Sequence, residues 1–103
     1  MSRKVVVQSE IRDMLILKNT LKELGHNFNE ISAETIEIQR SYYPIRFNTN
    51  TGETSYDDMC TSEVNKVKQQ YTVNIYKDRA LKEGNQIQQT INANGEIEIR
   101  IIS

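Results

Sequence analysis

The stretch from Gln86 to Ile101, QIQQTINANGEIEIRI, decides the predicted fold. Its last residues alternate strictly between apolar and polar, as in a strand with one buried face, and the isoleucines before the loop indicate a second strand. A two-residue turn at Asn94-Gly95 would place the isoleucines of the two strands on opposite faces. A three-residue loop over 93–95, closed by Gly95 at positive φ, instead places all of them on one face, pairing Ile91 with Ile97 and Ile87 with Ile101. The sequence therefore predicts a hairpin that needs an apolar cover from elsewhere in the chain.

The composition predicts a single domain over 1–103 and excludes several classes of protein. Of the 103 residues, 37% are hydrophobic and 26% are charged. No apolar run approaches the roughly 18 residues of a membrane span and no signal peptide opens the chain, so we expect a cytoplasmic or plastid-stromal protein. The single cysteine, Cys60, excludes an internal disulfide and a cysteine-based zinc site. A net charge of −1 gives no general attraction to nucleic acid or acidic membranes.

The first part of the chain predicts a strand followed by an amphipathic helix. Residues 5–7 are a β-branched run, and Asp13 is suited to cap a helix that Gly25 ends. The apolar residues of this helix recur on one stripe, at Met14, Leu17, Leu21 and Leu24. Residues 26–34 indicate either a loop or a short edge strand, which would be an extra strand near Phe28–Ile31.

Alternating residues predict three further strands, at 35–40, 43–47 and 54–56. Pairing Phe47 with Thr54 leaves 49–52 as a four-residue loop. Pro44 has no N–H to donate, so its strand is either an edge or carries Pro44 on an unpaired side.

A long second helix is predicted from Thr61 or Ser62, either of which can cap it, to Gly84. Its apolar residues form two neighbouring stripes, one of Val64, Val67, Tyr71 and Ile75 and one of Val73, Tyr76 and Ala80. The predicted fold is α+β: an antiparallel sheet of about five or six strands with two helices packed on one face, in the order β-α-β-β-β-α-β-β.

The residues that could support catalysis or metal binding do not form a recognisable motif. His26, the single histidine, follows a helix-ending glycine, where a solvated histidine is common. Cys60 precedes the second helix, whose dipole can lower a thiol pKa, but no base accompanies it. Asp57 and Asp58 would point to opposite faces of a strand, which favours a solvated acidic edge over a metal site. We therefore expect no enzymatic activity, no catalytic residue, no cofactor and no metal.

Interaction residues are expected on two surfaces. The first is the predicted sheet-edge hairpin, with Arg46, Tyr56, Asp57 and Asp58. The second is the exposed side of the second helix, with Lys66, Lys77 and Arg79. Together with Lys68 and Lys82 these residues could contact phosphates. The charges are spread around the helix, however, which favours a protein partner over nucleic acid.

Three stretches of the chain are similar to those of one family. They are Ser9-Glu10-Ile11-Arg12-Asp13 leading into the leucine-rich helix, Ile45-Arg46-Phe47-Asn48 with Asn50, Gly52 and Tyr56, and Gln69-Gln70-Tyr71 with Gly84 and the Asn94-Gly95 hairpin. On these motifs the chain resembles a divergent, shortened member of the hypothetical chloroplast reading frame 35 type, a domain of unknown function in plastids, cyanobacteria and other bacteria. Arg46 and Met59-Cys60 stand where that family has a small residue and a Trp, so a partner surface built there would have changed.

The resemblance implies an accessory role rather than a known activity. The family has no established activity, and its genes often lie beside an AAA-type ATPase, which by association alone suggests an adaptor for such a partner. A shortened member would also suit a phage or mobile-element protein. We therefore expect a non-enzymatic protein-interaction or adaptor module, and the alternative is a small nucleic-acid-binding or regulatory protein.

Overall fold

The computed structural model describes residues 3–40, 42–84, 86–91 and 97–102, with the backbone alone described in the last two segments. Its elements are, in chain order, β1 (Lys4–Gln8), α1 (Met14–Glu23), β2 (Asn29–Glu30), β3 (Thr35–Ile38), β4 (Ile45–Asn48), β5 (Glu53–Asp57), a 3₁₀ turn (Asp58–Cys60), α2 (Thr61–Glu83), β6 (Gln86–Ile91) and β7 (Ile97–Ile102). The predicted α+β class and order of elements are confirmed, and β2 is the short strand expected near Phe28–Ile31.

β1 to β5 form one antiparallel sheet in the order β1-β5-β4-β3-β2. Alternate residues of these strands share a buried core with residues of both helices. The sheet contributes Ile36, Ile38, Ile45, Phe47 and Tyr56 to this core, and the helices contribute Ile16, Leu17, Leu21, Val64, Val67 and Tyr71. Both helices therefore cover the same face of the sheet, as predicted. The intervening strand residues, such as Glu37 and Arg46, lie on the opposite face.

The register of β4 and β5 follows the predicted hairpin. Phe47 pairs with Thr54, and Gly52 adopts a φ of +80° where the loop returns to the sheet. β4 lies between β5 and β3, which excludes an edge strand, the first of the two alternatives for the strand with Pro44. The strand begins only at Ile45, which leaves Pro44 outside the ladder and removes its conflict with pairing.

α1 has the start and the end that its sequence predicts. The side chain of Asp13 accepts a hydrogen bond from the N–H of Ile16 at 3.0 Å and so caps the helix. At the other end Gly25 has a φ of +78°, and the N–H of His26 donates to the carbonyl of Leu21 at 2.9 Å. This is a Schellman ending, which satisfies the last carbonyls of the helix.

The hydroxyl of Tyr71 ties the start of α1 to α2. It accepts hydrogen bonds from the N–H groups of Arg12 at 3.1 Å and Asp13 at 3.0 Å. The ring of Tyr71 lies in the shared core. One side chain therefore fixes the position of α1 relative to α2 through both apolar packing and hydrogen bonds.

α2 begins in a different way from that predicted. Its N-cap residue is Cys60, whose side chain makes no capping hydrogen bond, and Thr61 is already helical. The hydroxyl of Thr61 donates to the carbonyl of Asp58 at 2.7 Å, so it is turned away from the N–H groups that a cap would serve. The cap belongs instead to Asp57, whose carboxylate accepts from the N–H of Met59 at 3.0 Å and starts the 3₁₀ turn.

α2 is buried on two opposite faces, so its two predicted apolar stripes lie opposite each other and not side by side. Val64, Val67 and Tyr71 pack into the sheet core. Val73 lies nine residues, or about two and a half turns, after Val64 and therefore faces the other way, yet it is only 1% exposed. Ala80, two turns further along the same face, is equally buried.

The C-terminal hairpin forms a sheet of its own. β6 and β7 pair with Ile91 opposite Ile97 and Ile87 opposite Ile101, which confirms the predicted register. The loop between them, including the predicted positive φ at Gly95, lies outside the described residues. The hairpin does not extend the five-stranded sheet around which the fold is built, and it contacts α2 instead. The chain is thus organised around β1 to β5 rather than around the hairpin.

Candidate interaction surface

The histidine and the cysteine considered for catalysis both lie near the carboxylate of Glu63. His26 is part of the Schellman ending of α1, where its N–H donates to the carbonyl of Leu21. Cys60 lies at the start of α2, near the ion pair that Arg40 makes with Glu63, at 2.8 Å between Nη2 and Oε1. Burial, and then the neighbouring carboxylate of Glu63, raise the pKa of the Cys60 thiol. The pKa of this thiol therefore moves in the direction opposite to the one expected from the helix dipole.

The two adjacent aspartates have separate environments. Asp57 is buried, because its side chain folds back to cap the 3₁₀ turn. Asp58 is exposed, and its N–H donates to the carbonyl of Arg3 at 2.8 Å, so it closes the end of the β1–β5 ladder. Within the ranges that the structure describes, no group of three or more His, Cys, Asp or Glu side chains is placed to hold a metal ion.

Two of the predicted interaction residues lie inside the molecule. Tyr56 is 4% exposed and belongs to the core beneath the helices. Asp57 is 3% exposed. Neither side chain can therefore contribute to an exposed surface, and of the residues predicted for the hairpin surface only Arg46 and Asp58 are exposed. Strand alternation alone could not show this, because it does not say which face of the sheet the helices cover.

Arg46 lies on the face of the sheet that the helices leave open. Its Nε donates to Oε2 of Glu37 at 2.5 Å across the β3–β4 pair. Glu37 is buried although it lies on this face, whereas more than half of the Arg46 side chain is exposed. The guanidinium thus covers the carboxylate and compensates its charge, which gives Arg46 a structural role on the sheet.

The basic residues of α2 do not form one stripe. Lys66 and Lys77 are exposed and lie 11 residues apart, or about three turns, so they share one face. Arg79 is exposed on another side, with its guanidinium 5.6 Å from the centre of the Tyr76 ring. Lys82 pairs with Asp78 at 2.9 Å. The positive charge of the helix is therefore divided among its faces and partly compensated.

One predicted acidic residue and one predicted basic residue line the same groove. It has a volume of about 620 Å³ and lies beside the 3₁₀ turn and the first turns of α2. We name four of its lining residues, Asp58, Met59, Ser62 and Lys66, the 3₁₀ corner. Met59 is 74% exposed, and Asp58 and Lys66 carry opposite charges beside it.

The 3₁₀ corner is held in place by hydrogen bonds within the chain. The Asp57 carboxylate fixes the N–H of Met59, and the Thr61 hydroxyl fixes the carbonyl of Asp58. The N–H of Asp58 is bound to the end of β1 at Arg3. The exposed Met59 therefore projects from a rigid turn and not from a loose loop.

The sequence pattern did not single out Met59 or the outer edge of β1. A signal for the turn was present, since Asp57 is a strong capping residue two positions before Met59. For β1 the sequence carries no such signal, because Val5, Val6 and Val7 are identical and only their burial in the structure distinguishes the exposed Val6.

The chain matches no protein-family model, no curated protein and no solved structure. In the part of the chain that the structure describes, neither helix combines the length and the hydropathy that crossing a bilayer requires.

Proposed function

We propose that this chain is a non-enzymatic protein-interaction module, which binds a partner protein through the 3₁₀ corner. The observation that carries the proposal is Met59, a large apolar side chain that is 74% exposed and shares a groove with two residues of opposite charge. An apolar anchor within a polar rim is the usual composition of a protein–protein contact. Methionine suits this use because its flexible, polarisable side chain adapts to a pocket on the partner.

The geometry of the corner supports specific binding. Because hydrogen bonds already fix Asp58, Met59 and Thr61, little further ordering of the backbone is needed when a partner binds. The opposite charges of Asp58 and Lys66 would orient the partner and disfavour one with the reversed arrangement. The partner surface expected from this chemistry has an apolar pocket flanked by one basic and one acidic side chain.

The family resemblance adds a class of partner to this proposal. If the chain is a divergent member of the hypothetical chloroplast reading frame 35 type, an AAA-type ATPase is the partner to test first. The corner includes Met59, where that family has a Trp beside an acidic pair, so the partner surface of this chain would differ from that of the family at this turn.

Nucleic-acid binding is the second candidate function. It would use Lys66 and Lys77, which are exposed on one face of α2. We rank it below protein binding because the remaining basic residues point elsewhere or contact Asp78 and Tyr76. Phosphate contacts would make binding fall steeply with salt concentration.

Affinity capture from host lysate with matched variants tests the proposal. We expect the wild-type chain to capture a protein that resists nuclease and high salt. Met59→Asp should reduce the amount captured at least about tenfold. Leu15→Asp, at a residue 67% exposed on the outer side of α1, is the control and should capture as the wild type does.

Two results would contradict the proposal. One is capture that Met59→Asp leaves unchanged, which would move the binding surface away from the 3₁₀ corner. The other is recovery that nuclease or salt abolishes and that Lys66→Ala with Lys77→Ala also removes, which would establish the nucleic-acid alternative.

A further inference from the structure

The two edges of the five-stranded sheet differ in how they are protected. One edge is β2, which has only two residues, and Lys18 of α1 forms an ion pair with its Glu30. The other edge is β1, a regular strand of five residues without proline or glycine. In the described part of the chain, β1 is paired on one side only, with β5. A long, regular edge is a template for another strand.

The hydrogen-bond pattern shows which groups of β1 point outward. The N–H of Asp58 donates to the carbonyl of Arg3 at 2.8 Å, and the N–H of Ser9 donates to the carbonyl of Gly52 at 2.8 Å. In an antiparallel pair the bonded residues alternate, so the odd-numbered residues of β1 bond to β5. The N–H and C=O groups of Lys4, Val6 and Gln8 therefore point away from β5, along the open edge.

The side chains at this edge leave it accessible. Val6, at the middle of the strand, is 54% exposed, and Lys4 and Gln8 on either side of it are exposed as well. Val5 and Val7 are half-buried on the face toward the core. A strand added beside β1 would thus bury apolar surface on both faces of the sheet.

This edge is complementary to itself. A two-fold axis through Val6 places the Val6 residues of two copies opposite each other, and Lys4 of each copy opposite Gln8 of the second. No like charges then face each other. Arg3 and Lys4 of one copy lie beside the end of β1 in the second copy, where the chain leads on to the exposed Glu10. Shifting the register by two residues in either direction leaves one of the outward-facing residues without a strand partner.

We propose that the chain forms a two-fold homodimer by antiparallel pairing of β1 with β1 of a second copy. The pairing uses the outward N–H and C=O groups of Lys4, Val6 and Gln8 and gives about six interchain hydrogen bonds. The two sheets become one continuous sheet, with the valines of both copies packed at the junction. The contact is small, so the dimer is in exchange with the monomer.

This inference goes beyond the proposed function and does not depend on it. Because the strands are antiparallel, the two 3₁₀ corners would lie at opposite ends of the paired strands, one in each copy. A dimer would therefore present two binding sites to a partner assembly.

Sedimentation analysis of the purified chain over a range of concentrations tests the dimer. We expect the wild-type mass to rise from one chain to two. Val6→Lys should remain a monomer at all concentrations, because the two-fold axis would place lysines opposite each other. The control is again at Leu15, as Leu15→Lys, which adds the same charge elsewhere and should dimerise normally.

Amide hydrogen exchange provides a second readout that does not depend on a variant folding. The N–H groups of Lys4, Val6 and Gln8 should gain protection as concentration rises, whereas Val5 and Val7, which bond to β5, should be protected throughout. A wild-type mass that stays at one chain up to about 1 mM, or a dimer that Val6→Lys leaves intact, overturns the proposal. So does protection of the three outward amides only when a different protein is added.

The two proposals fail separately in these experiments. Met59→Asp should abolish partner capture and leave dimerisation unchanged. Val6→Lys should abolish dimerisation and leave the 3₁₀ corner able to capture its partner. If a single variant with an intact fold abolishes both partner capture and dimerisation, the dimer inference is wrong as stated, because one surface then serves both contacts.

Discussion

At the scale of the residue, turns and helix ends are fixed by a few specific groups. Asp13 starts α1, Gly25 ends it, and Asp57 starts the 3₁₀ turn. Gly52 closes the β4–β5 loop at a φ of +80°. It lies so close to the carbonyl of Ser9 that residue 52 has no room for a side chain. These residues determine where the chain changes direction, and the apolar residues determine what packs between the turns.

Gly52→Ala should be more damaging than Gly25→Ala. Both glycines have positive φ, so either substitution should cost about 1 kcal/mol from backbone strain. A Cβ at residue 52 would also clash with the carbonyl oxygen of Ser9, whereas the space around Gly25 is open. We expect the clash to lower the free energy of unfolding by roughly 1–3 kcal/mol more. Urea unfolding of the two variants checks this, and equal losses would contradict the account of the loop.

Tyr71→Phe should weaken the attachment of α1 to α2. The variant keeps the ring in the core but removes the acceptor for the N–H groups of Arg12 and Asp13. We expect the free energy of unfolding to fall by about 1–3 kcal/mol. Tyr42→Phe, at an exposed tyrosine, is the control and should change it by less than about 0.5 kcal/mol. A neutral Tyr71→Phe would mean that water replaces the hydroxyl.

The Cys60 thiol should react slowly with alkylating reagents near neutral pH. Burial and the carboxylate of Glu63 raise its pKa, so less of the reactive thiolate is present at a given pH. The midpoint of the alkylation rate against pH should lie above that of a free thiol. Glu63→Gln should move the midpoint down, since it removes a negative charge and leaves the guanidinium of Arg40 nearby. A midpoint at or below the ordinary value would contradict this description.

At the scale of the element, α2 is the piece that joins the two sheets. One face packs on the sheet core, and the opposite face buries Val73 and Ala80. The contacts of β6 and β7 with α2 place the hairpin beside this helix. A two-stranded hairpin is marginal by itself in water, so α2 is also what stabilises the C-terminal strands.

Val73→Asp should be strongly destabilising although Val73 faces away from the sheet. The residue is 1% exposed, so the variant would bury a charge in a site that now holds an apolar side chain. We expect the free energy of unfolding to fall by at least about 2 kcal/mol. Thr72→Asp, at the exposed neighbouring residue, should change it little. If both variants are equally stable, the outer face of α2 is not buried in solution.

The elements that local sequence controls could be predicted, and the assembly of distant elements could not. α1 is bounded by Asp13 and Gly25, both of which act within a few residues, and the pairing of Ile91 with Ile97 follows from a short loop. The separation of the hairpin from the main sheet depends on which layer covers Val73 and Ala80, which is a long-range choice. The predicted cap at Thr61 is wrong because the carboxylate of Asp57 caps the turn before α2, and the Thr61 hydroxyl donates to the carbonyl of Asp58 instead.

The same distinction applies to the candidate surface. Asp57 and Asp58 are alike in sequence, but the chain turns between them, so one is buried and the other exposed. The prediction of Tyr56 as a contact residue is wrong because the helices cover its face of the sheet. Lys66 and Asp58 were both predicted, but their meeting beside Met59 depends on the 3₁₀ turn.

At the scale of the whole molecule, two exposed features lie next to each other. The outer edge of β1 begins at Arg3, which is bonded to Asp58 of the 3₁₀ corner. The edge offers backbone groups and a valine, and the corner offers an exposed methionine in a groove that also carries one acidic and one basic residue. We assign the first to a second copy of the chain and the second to a different protein.

Photo-crosslinking from residue 59 in the native host tests the central claim most directly. A photoreactive side chain would replace Met59 in one version of the protein and Leu15 in a control version. The account predicts a discrete protein adduct from residue 59 that resists nuclease, and no such adduct from residue 15. The absence of an adduct at residue 59, or the same adducts from both residues, would contradict a binding surface at the 3₁₀ corner.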